Sequence, residues 1–209
     1  MQPETKLVVD RFWADLFGLS VEELHAPGTK AIQHLGLGDY PAVYVLILGR
    51  SVVVSSPAEP PAGELVKVLG PSVHSYLDTR PVLVAGGVRE ASYEELEPLR
   101  AACGEDDWEE SGFAEEPERC FAIEQDGRIV AASNLTAWRG EAVDVGVLVD
   151  PAAAGRGFGT KVAAAAADLA VQTFGICRYR ALETNGASMR IAEKLGFTQY
   201  GRNLVFKQA

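Results

Sequence analysis

Apolar residues in the first 80 positions follow short periods that glycine and proline interrupt often. Residues 4–28 carry apolar side chains at helical spacing, which predicts one helix or two with a break at Gly18. Two valine-rich runs in residues 43–56 are separated by Gly-Arg and predict a hairpin. Residues 64–70 predict a short helix, and residues 82–85 predict one more strand.

The pattern after residue 88 predicts helices between mostly antiparallel strands. Asp126-Gly127 lies between two strand-like runs and is a strong hairpin signal. Valines alternate with other residues in residues 141–150, which predicts a half-buried strand. The remaining predicted elements are helices at 92–103, 158–175 and 185–197, and strands at 176–184 and 203–207. The expected buried face of the second helix consists of Phe158, Val162, Ala165, Leu169 and Ala170.

This order of elements defines the expected fold class and domains. It predicts an α/β protein with a mixed, mostly antiparallel central sheet flanked by helices, preceded by an extra α/β region. We place the extra region, a helix-hairpin-helix segment, at residues 1–79 and the main domain at residues 80–209.

Composition narrows the partners that the protein can have. The three cysteines and three histidines are scattered, so we expect neither a disulfide framework nor a metal site. No apolar run is long enough to cross a bilayer, and the first residues do not resemble a secretory signal. We therefore expect a cytoplasmic protein without a membrane partner. The net charge of −10, with no basic stripe, disfavours nucleic acid.

Three glycines, at positions 155, 157 and 159, open the helix that follows the valine-rich strand. Residues without a β-carbon permit φ > 0, so consecutive amides can turn around an oxyanion at the helix N-terminus. Several hydrogen bonds to a charged acceptor, about 1.5–3 kcal/mol each, could hold a diphosphate. No acid stands where it would repel an anion, and Arg156 adds positive charge. The stretch predicts a phosphate-binding loop; a glycine-rich turn that binds nothing is the alternative.

The spacing of this loop excludes two familiar phosphate-binding motifs. A dinucleotide fingerprint needs a third glycine where this chain has Thr160. A Walker loop needs Gly-Lys followed by Ser or Thr, whereas this chain reads Gly159-Thr160-Lys161.

A second segment, "NGASMRIAEKLGF" at residues 185–197, follows the loop after one helix and one strand. The loop fits the pattern [Arg/Gln]-x-x-Gly-x-[Gly/Ala] from Ala154 to Gly159, except that Ala154 replaces the first residue. The later segment fits Asn-x-x-[Ser/Ala] followed by Glu-Lys-Leu-Gly-Phe. In this order and spacing, the two motifs resemble the GNAT superfamily of N-acetyltransferases over residues 80–207.

The resemblance implies acetyl-coenzyme A as acyl donor and a primary amine of a small molecule or peptide as acceptor. The amine would attack the acetyl group directly in a ternary complex of protein, donor and acceptor. The backbone of Leu148 and Val149 would pair with the pantetheine arm, loop amides would hold the pyrophosphate, and Asn185 would contact the cofactor's amide region. The implied cofactor-binding residues are Leu148, Val149, Gly155, Arg156, Gly157, Phe158, Gly159, Thr160, Asn185 and Ser188.

Ala192 departs from the family pattern, because many members have a tyrosine there that protonates the leaving thiolate. The general acid is therefore unassigned. A non-catalytic acyl-coenzyme A-binding sensor of the same fold is the alternative function, and a transferase for a longer acyl group is a third.

Acyl transfer to an amine also needs a proton acceptor, because an alkylamine has a pKa of about 10.4. Glu141 and Asp144, on the central strand, are the candidate catalytic carboxylates; solvated charges on an alternating strand are the alternative. Gly146 is expected to let the strand bulge and splay from its neighbour, which would leave an N–H free for the tetrahedral oxyanion.

Acceptor recognition is expected from residues 105–118, a strongly acidic segment where GNAT members place acceptor-binding helices and loops. The charge favours a cationic amine, with a solvated charged face as the alternative. Trp108 and Trp138 either line that pocket or pack inside the protein. Residues 1–79 are either a degenerate acetyltransferase-like half or a cap over the acceptor site. The oligomeric state is open, with a homodimer among the options.

Overall fold

The computed structural model describes residues 1–59, 63–82 and 86–208, and these residues form six α-helices and ten strands. The helices are α1 (Pro3–Phe17), α2 (Val21–His25), α3 (Glu97–Cys103), α4 (Glu105–Glu110), α5 (Phe158–Phe174) and α6 (Gly186–Leu195). The strands are β1 (Gly28–Gln33), β2 (Val43–Leu48), β3 (Ser51–Ser56), β4 (Leu65–Leu77), β5 (Val88–Ala91), β6 (Arg119–Gln125), β7 (Arg128–Trp138), β8 (Glu141–Val149), β9 (Cys177–Leu182) and β10 (Thr198–Gln208).

Internal contacts divide the chain into two compact units. The first contains Met1–His74, Ala181–Asn185 and Gln199–Ala209, and the second contains Ser75–Arg180 and Gly186–Thr198. Such contacts do not test which segments fold independently. The expected domain boundary after residue 79 therefore stays a prediction.

The strands of the first unit lie in the order β1-β3-β2-β10-β4. β2 and β3 form the predicted antiparallel hairpin, β10 runs antiparallel to β2, and β1 runs parallel to β3. Trp13 of α1 is buried with its ring centre 4.9 Å from that of His74, and Phe17 stacks beside it. Buried aromatic side chains contribute strongly to the stability of a hydrophobic core.

Asp10 of α1 is an almost fully buried carboxylate that joins three elements of this unit. Its oxygens accept hydrogen bonds from Lys6 Nζ at 2.6 Å and Tyr200 Oη at 2.8 Å, and His25 Nε2 lies 2.8 Å away. Burial opposes the charged form, but the hydrogen bonds from Lys6, His25 and Tyr200 outweigh it. The pKa of Asp10 therefore lies below its usual value.

The strands of the second unit lie in the order β9-β8-β7-β6-β5, and only the β8–β9 pair is parallel among them. Trp108 packs with Leu148 on one face, beside α3 and α4. On the other face, Val162 of α5 packs with Ala131. These layers confirm the predicted class, an α/β protein with a mixed, mostly antiparallel sheet flanked by helices. The predicted hairpin is also confirmed: Asp126 and Gly127 have φ of 51° and 75°, as its tight turn requires.

The buried face of α5 is wider than the sequence pattern indicated. The helix ends at a left-handed Gly175, as predicted, and Phe158 and Val162 are buried. Ala165 and Leu169, however, are only half-buried. Ala170 is buried as predicted, and the buried positions that the pattern did not indicate are Gly159, Ala163, Ala164, Ala166 and Ala167. Because these side chains are so small, the helix can lie close to the sheet, and burial extends around more of its circumference.

Some strands were predicted wrongly or missed. Residues 64–70 do not form a helix: β4 runs through them from Leu65. The β-branched Val66 and Val68 favour a strand, and Pro71 would have ended a helix. Strands β1 and β5 were missed because both are short and largely exposed, so neither shows a clear alternation. Of the strand expected at residues 82–85, residues 83–85 lie outside the described residues.

The described residues contain neither a candidate membrane-spanning helix nor a candidate metal site. None of their helices is long and apolar enough to span a bilayer. Across the same residues, no group of three or more histidine, cysteine or acidic side chains could hold a metal ion.

We predict that Asp10→Asn lowers the free energy of unfolding by about 1–3 kcal/mol at pH 7, because it weakens a set of charge-assisted hydrogen bonds. The folded-state pKa is lowered, so this stabilisation is present above pH ~4 and is lost as the pH falls through that pKa. Urea denaturation of both proteins between pH 2 and 7 measures the difference. Asp15→Asn, at an exposed site on the same helix, should change stability by less than about 0.5 kcal/mol. A difference for Asp10→Asn that stays constant to pH 2 would contradict the ionic explanation.

Candidate active site

Strand β8 loses one of its two neighbours part of the way along its length. It pairs with β7 from Glu141 to Val149, but in the described residues it pairs with β9 only at Asp144↔Arg178 and Val145↔Tyr179. The last four residues of β8 therefore have a strand on one side only. An extended ligand could pair with that open edge as an additional strand would.

The glycine loop follows this open segment directly. A 3-10 turn at Pro151–Ala153 is capped by the Asp150 carboxylate, which accepts the Ala152 N–H at 2.8 Å. Gly155 and Gly157 then adopt φ of 75° and 81°, and α5 begins at Phe158. The helix has no side-chain cap and no acidic residue in its first turn. The amides of its first turn therefore lack an intrahelical acceptor and can bind an anion.

The three loop glycines meet two different requirements. A β-carbon at Gly155 or Gly157 would meet no other atom within 4 Å, so these positions need glycine for their left-handed backbone. Gly159 is buried inside the helix, where a β-carbon would lie 3.1 Å from both Ile191 Cδ1 and Val149 Cγ2. Glycine at this position lets α5 and α6 lie close to β8.

Positive charge accompanies the free amides. The guanidinium of Arg156 lies 4.9 Å from the centre of the Phe158 ring, and Arg156 is exposed to solvent. Lys161 is half-buried on the first turn, and its N–H donates to the Gly157 carbonyl at 3.3 Å. An anion at this helix N-terminus would therefore meet backbone donors together with a nearby cation.

Asp144 lies at the last paired positions before the gap between β8 and β9. Its Oδ2 accepts a hydrogen bond from Arg178 Nη1 at 3.2 Å, and the two side chains are 18% and 11% exposed. Its Oδ1 is buried and has no hydrogen-bond partner among the described residues. The Arg178 guanidinium also lies 5.8 Å from the Trp138 ring centre. This is a nearly buried carboxylate with one acceptor oxygen left to use.

Glu141, the other candidate carboxylate, lies at the far end of the strand. It is exposed, is the first residue of β8 and stands opposite Trp138 across a tight turn. At about 3.3 Å per residue it is roughly 26 Å from Val149, where the glycine loop begins. Of the two carboxylates, Asp144 is the one beside the gap.

The expectation for Gly146 was right that the strand parts from a neighbour here, since among the described residues β8 pairs with β9 only up to Val145, but it was wrong about the bulge and the free amide. The register of β7 and β8 shifts between Thr136 and Ala137, which makes Val143 the extra residue of the bulge. The N–H of Gly146 is not free: it donates to Asn134 Oδ1 at 2.8 Å. This amide therefore cannot stabilise an oxyanion in the conformation that the structure describes.

The other predicted cofactor-binding residues have the following surroundings. Leu148 is buried beside α3 and α4, and the Val149 carbonyl lies 3.5 Å from Cys103 Sγ, which donates to it. Asn185 is exposed just before α6, and its N–H donates to the Leu182 carbonyl at 2.9 Å. The Ser188 side chain hydrogen-bonds to Tyr179, and burial raises the pKa of that tyrosine. None of these contacts tests a role in cofactor binding.

The two tryptophans pack inside the protein, and the acidic segment is on the surface. Trp108 is 2% exposed and stacks on Phe113 at 4.7 Å, and Trp138 is also buried. The acidic residues of 105–118 are exposed. A shallow cavity of about 220 Å³ borders the segment and is lined by Glu90, Ala91, Ser92, Tyr93, Glu116, Pro117, Glu118, Arg119 and Cys120. Cys177 is fully buried, as expected for a packed cysteine.

Two residues of the site were missed from the sequence. Arg178 occupies one position of a short alternating strand, and nothing nearby in sequence marks it as the partner of Asp144. Asn134 lies within an apolar run, where a buried amide in the middle of a predicted strand was the available signal.

The open edge of β8, the glycine turn and the uncapped N-terminus of α5 follow one another along the chain. The family model "Acetyltransferase (GNAT) family" matches residues 87–197. This match covers more than half of the chain, so the protein belongs to the GNAT acetyltransferase family, as its motifs indicated.

Solved structures show the same fold. A protein from Novosphingobium aromaticivorans DSM 12444, named as an acetyltransferase from the GNAT family, is 16% identical with a TM-score of 0.58, covering 82% of this chain and 76% of that one. An acetyltransferase from the GNAT family of Colwellia psychrerythraea is 17% identical with a TM-score of 0.53, and the coverages are 71% and 59%. No curated protein matched the chain.

We predict that Gly159→Val lowers the free energy of unfolding by about 1–3 kcal/mol, because the new side chain overlaps Ile191 and Val149. Thr160→Val is the matched control: it places the same shape at the next, half-buried position and should change stability by less than about 0.5 kcal/mol. Equal midpoints of urea unfolding for the two variants would refute the packing role assigned to Gly159.

Proposed function

We propose that the protein is an N-acetyltransferase that transfers an acetyl group from acetyl-coenzyme A to a primary amine of a small molecule or peptide. The observation that carries the proposal is the continuity of three features along one stretch of chain. The open edge of β8 ends at Val149, the left-handed glycines follow, and the uncapped N-terminus of α5 comes next. Family membership supports acyltransferase chemistry of this kind.

The acyl donor would lie along that stretch. Its pantetheine arm would pair with the backbone of Leu148 and Val149, and its pyrophosphate would meet the amides from Gly155 to Thr160. Charge-assisted hydrogen bonds of about 1.5–3 kcal/mol each would provide much of the affinity. Arg156 adds a cation to a protein whose net charge is −10. Asn185 and Ser188 stay proposed contacts from the family motif.

The reaction is direct attack of a neutral amine on the thioester carbonyl. The nitrogen lone pair forms the C–N bond, the C–S bond breaks, and the sulfur leaves as a thiolate. The amine loses one proton, and we assign its acceptance to Asp144, directly or through a water. The buried Oδ1 of Asp144 supports this role because it is an unused acceptor beside the gap. Glu141 has no comparable contact in its favour.

No dedicated acid is required by this scheme. Ala192, buried in α6, has no hydroxyl that could protonate the leaving sulfur. A thiol with a pKa of about 8.5 can leave as the thiolate near neutral pH, so the proton can come from solvent. The acceptor amine would approach from the side of the acidic segment, where carboxylates such as Glu116 favour a cation.

A second function, a non-catalytic acyl-coenzyme A-binding module, is supported by two observations. Ala192 has no acidic group, and the Gly146 N–H already donates to Asn134. Such a module would bind the thioester without transferring the acyl group. Binding and turnover therefore need separate measurements.

For binding, we predict that acetyl-coenzyme A stabilises the protein and that Gly157→Val abolishes the effect, because a β-branched residue cannot adopt φ of 81° and keep the loop. Ligand at 100 times its Kd should add about 2.7 kcal/mol, measured by thermal shift and calorimetry. Gly175→Val introduces comparable strain at the other end of α5, where φ is 73°. That control should bind normally, and weakened binding in both variants would overturn the loop assignment.

For turnover, we predict that Asp144→Asn lowers kcat about 100-fold or more while the Kd for acetyl-coenzyme A is unchanged. Release of coenzyme A would be followed with putrescine, L-lysine and a short peptide with a free amino terminus. Glu141→Gln provides the comparison, and a larger loss in that variant would assign the proton acceptor to Glu141. Binding of acetyl-coenzyme A with no turnover of any amine would instead support the non-catalytic module.

A further inference from the structure

A single buried side chain connects β8, where it parts from β9, to the acidic segment of residues 105–118. Asn134 of β7 is 0% exposed, and both ends of its carboxamide are used. Its Oδ1 accepts the Gly146 N–H at 2.8 Å, and its Nδ2 donates to the Ser111 carbonyl at 3.0 Å. One amide therefore bridges β8 and the end of α4.

Gly146 allows this bridge to form. A β-carbon at Gly146 would lie 1.8 Å from the Ser111 carbonyl oxygen and 2.7 Å from Asn134 Oδ1. The carbonyl and the carboxamide thus occupy the space that any side chain would need. Glycine at this position is required by the approach of the α4 connection, since its own φ is not in the left-handed region.

The location of the bridge connects it to function. Gly146 is the first residue of β8 beyond its last pairing with β9. Ser111 directly follows α4 and begins the connection to β6, residues 111–118, which carries Glu115 and Glu116. Phe113 anchors the same connection: its side chain is fully buried, and its carbonyl accepts the Tyr93 hydroxyl at 2.5 Å.

Burying the carboxamide of Asn134 is unfavourable unless its polar atoms are hydrogen-bonded. The side chain is fully buried, and leucine, which is also branched at Cγ, would leave the Gly146 N–H and the Ser111 carbonyl without these partners. A buried carboxamide contributes only if both of its ends are bonded, and here the partners are main-chain groups of two segments beside the gap. Its specific effect is to fix one segment relative to the other.

We propose that Asn134 is a positioning residue that holds residues 111–118 against Gly146 and thereby sets the acceptor side of the gap. This inference rests on the proposed acetyl transfer, and it assigns acceptor placement to a side chain that touches neither substrate. Loss of Asn134 would let the connection move by about an ångström, enough to impair attack of the amine while the donor site, on β8 and α5, stays intact.

The test compares Asn134→Ala with Ser133→Ala. Ser133 is the adjacent residue, also fully buried, and its Oγ donates to the Val162 carbonyl on the α5 side of the strand. Both variants lose a buried side-chain hydrogen bond, on opposite faces of β7. Urea denaturation would first establish that both are folded under the assay conditions. Asn134→Asp, which keeps the shape and the acceptor for Gly146 but loses the donor to Ser111, serves if Asn134→Ala is unfolded.

Steady-state kinetics would use the best amine among putrescine, L-lysine and the peptide. We expect Asn134→Ala to lower kcat/KM for the amine about tenfold or more, with the KM for acetyl-coenzyme A within about twofold of wild type. Ser133→Ala should leave the amine kcat/KM within about twofold. Equal losses in the two variants would overturn the proposal, as would a loss confined to acetyl-coenzyme A.

Amide hydrogen exchange supplies a readout that does not need activity. Exchange in residues 112–118 should be faster in Asn134→Ala than in Ser133→Ala, and unchanged exchange there would overturn the proposal. If wild-type protein turned over no amine, the proposed function would fail on that result, and exchange would still decide whether Asn134 holds the connection.

Discussion

Main-chain segments that are not paired by a second strand or capped by a side chain are the constraint on which this site depends. β8 pairs with β9 at two positions and then continues with β7 alone, and α5 starts without a side-chain cap. Backbone donors and acceptors in such places must be satisfied by water or by a ligand. An acyl-coenzyme A is suited to both, because its arm is extended and polar and its pyrophosphate is an anion. The left-handed glycines and the absence of an acid from the first turn of α5 are compatible with an anion at this place.

Small residues bring the surrounding elements close to that strand. Gly159 and the alanines of α5 let one helix lie against a face of β8, and Gly146 lets the Ser111 carbonyl rest on the other face. Glycine therefore serves two physical purposes within fifteen residues: positive φ at Gly155 and Gly157, and absence of volume at Gly146 and Gly159. A substitution has different consequences at the two kinds of position, strain in one and overlap in the other.

In the proposed reaction, donor binding and acceptor chemistry would depend on different parts of the second unit. The donor features are mostly backbone and lie on consecutive residues, which suits a substrate that a whole family shares. The acceptor side depends on individual side chains, among them Asp144 with its one unused oxygen and Asn134 with both ends bonded. Ala192 has no hydroxyl, so in the proposed reaction the leaving group would take its proton from solvent. In the proposed reaction, family membership therefore supports the choice of donor, whereas the placement of the acceptor would depend on these side chains.

The sequence by itself determined the features that arise from short-range chemistry. The Asp126-Gly127 hairpin, the glycine loop, α5, α6 and the family could all be read, because turn conformations and helix periods depend on neighbouring residues. Only the tertiary structure decided which distant residues meet. Asp144 pairs with Arg178, 34 positions away, and Asn134 occupies the Gly146 N–H that was expected to be free. The structure also placed residues 65–70 in β4, the conformation that the β-branched Val66 and Val68 favour.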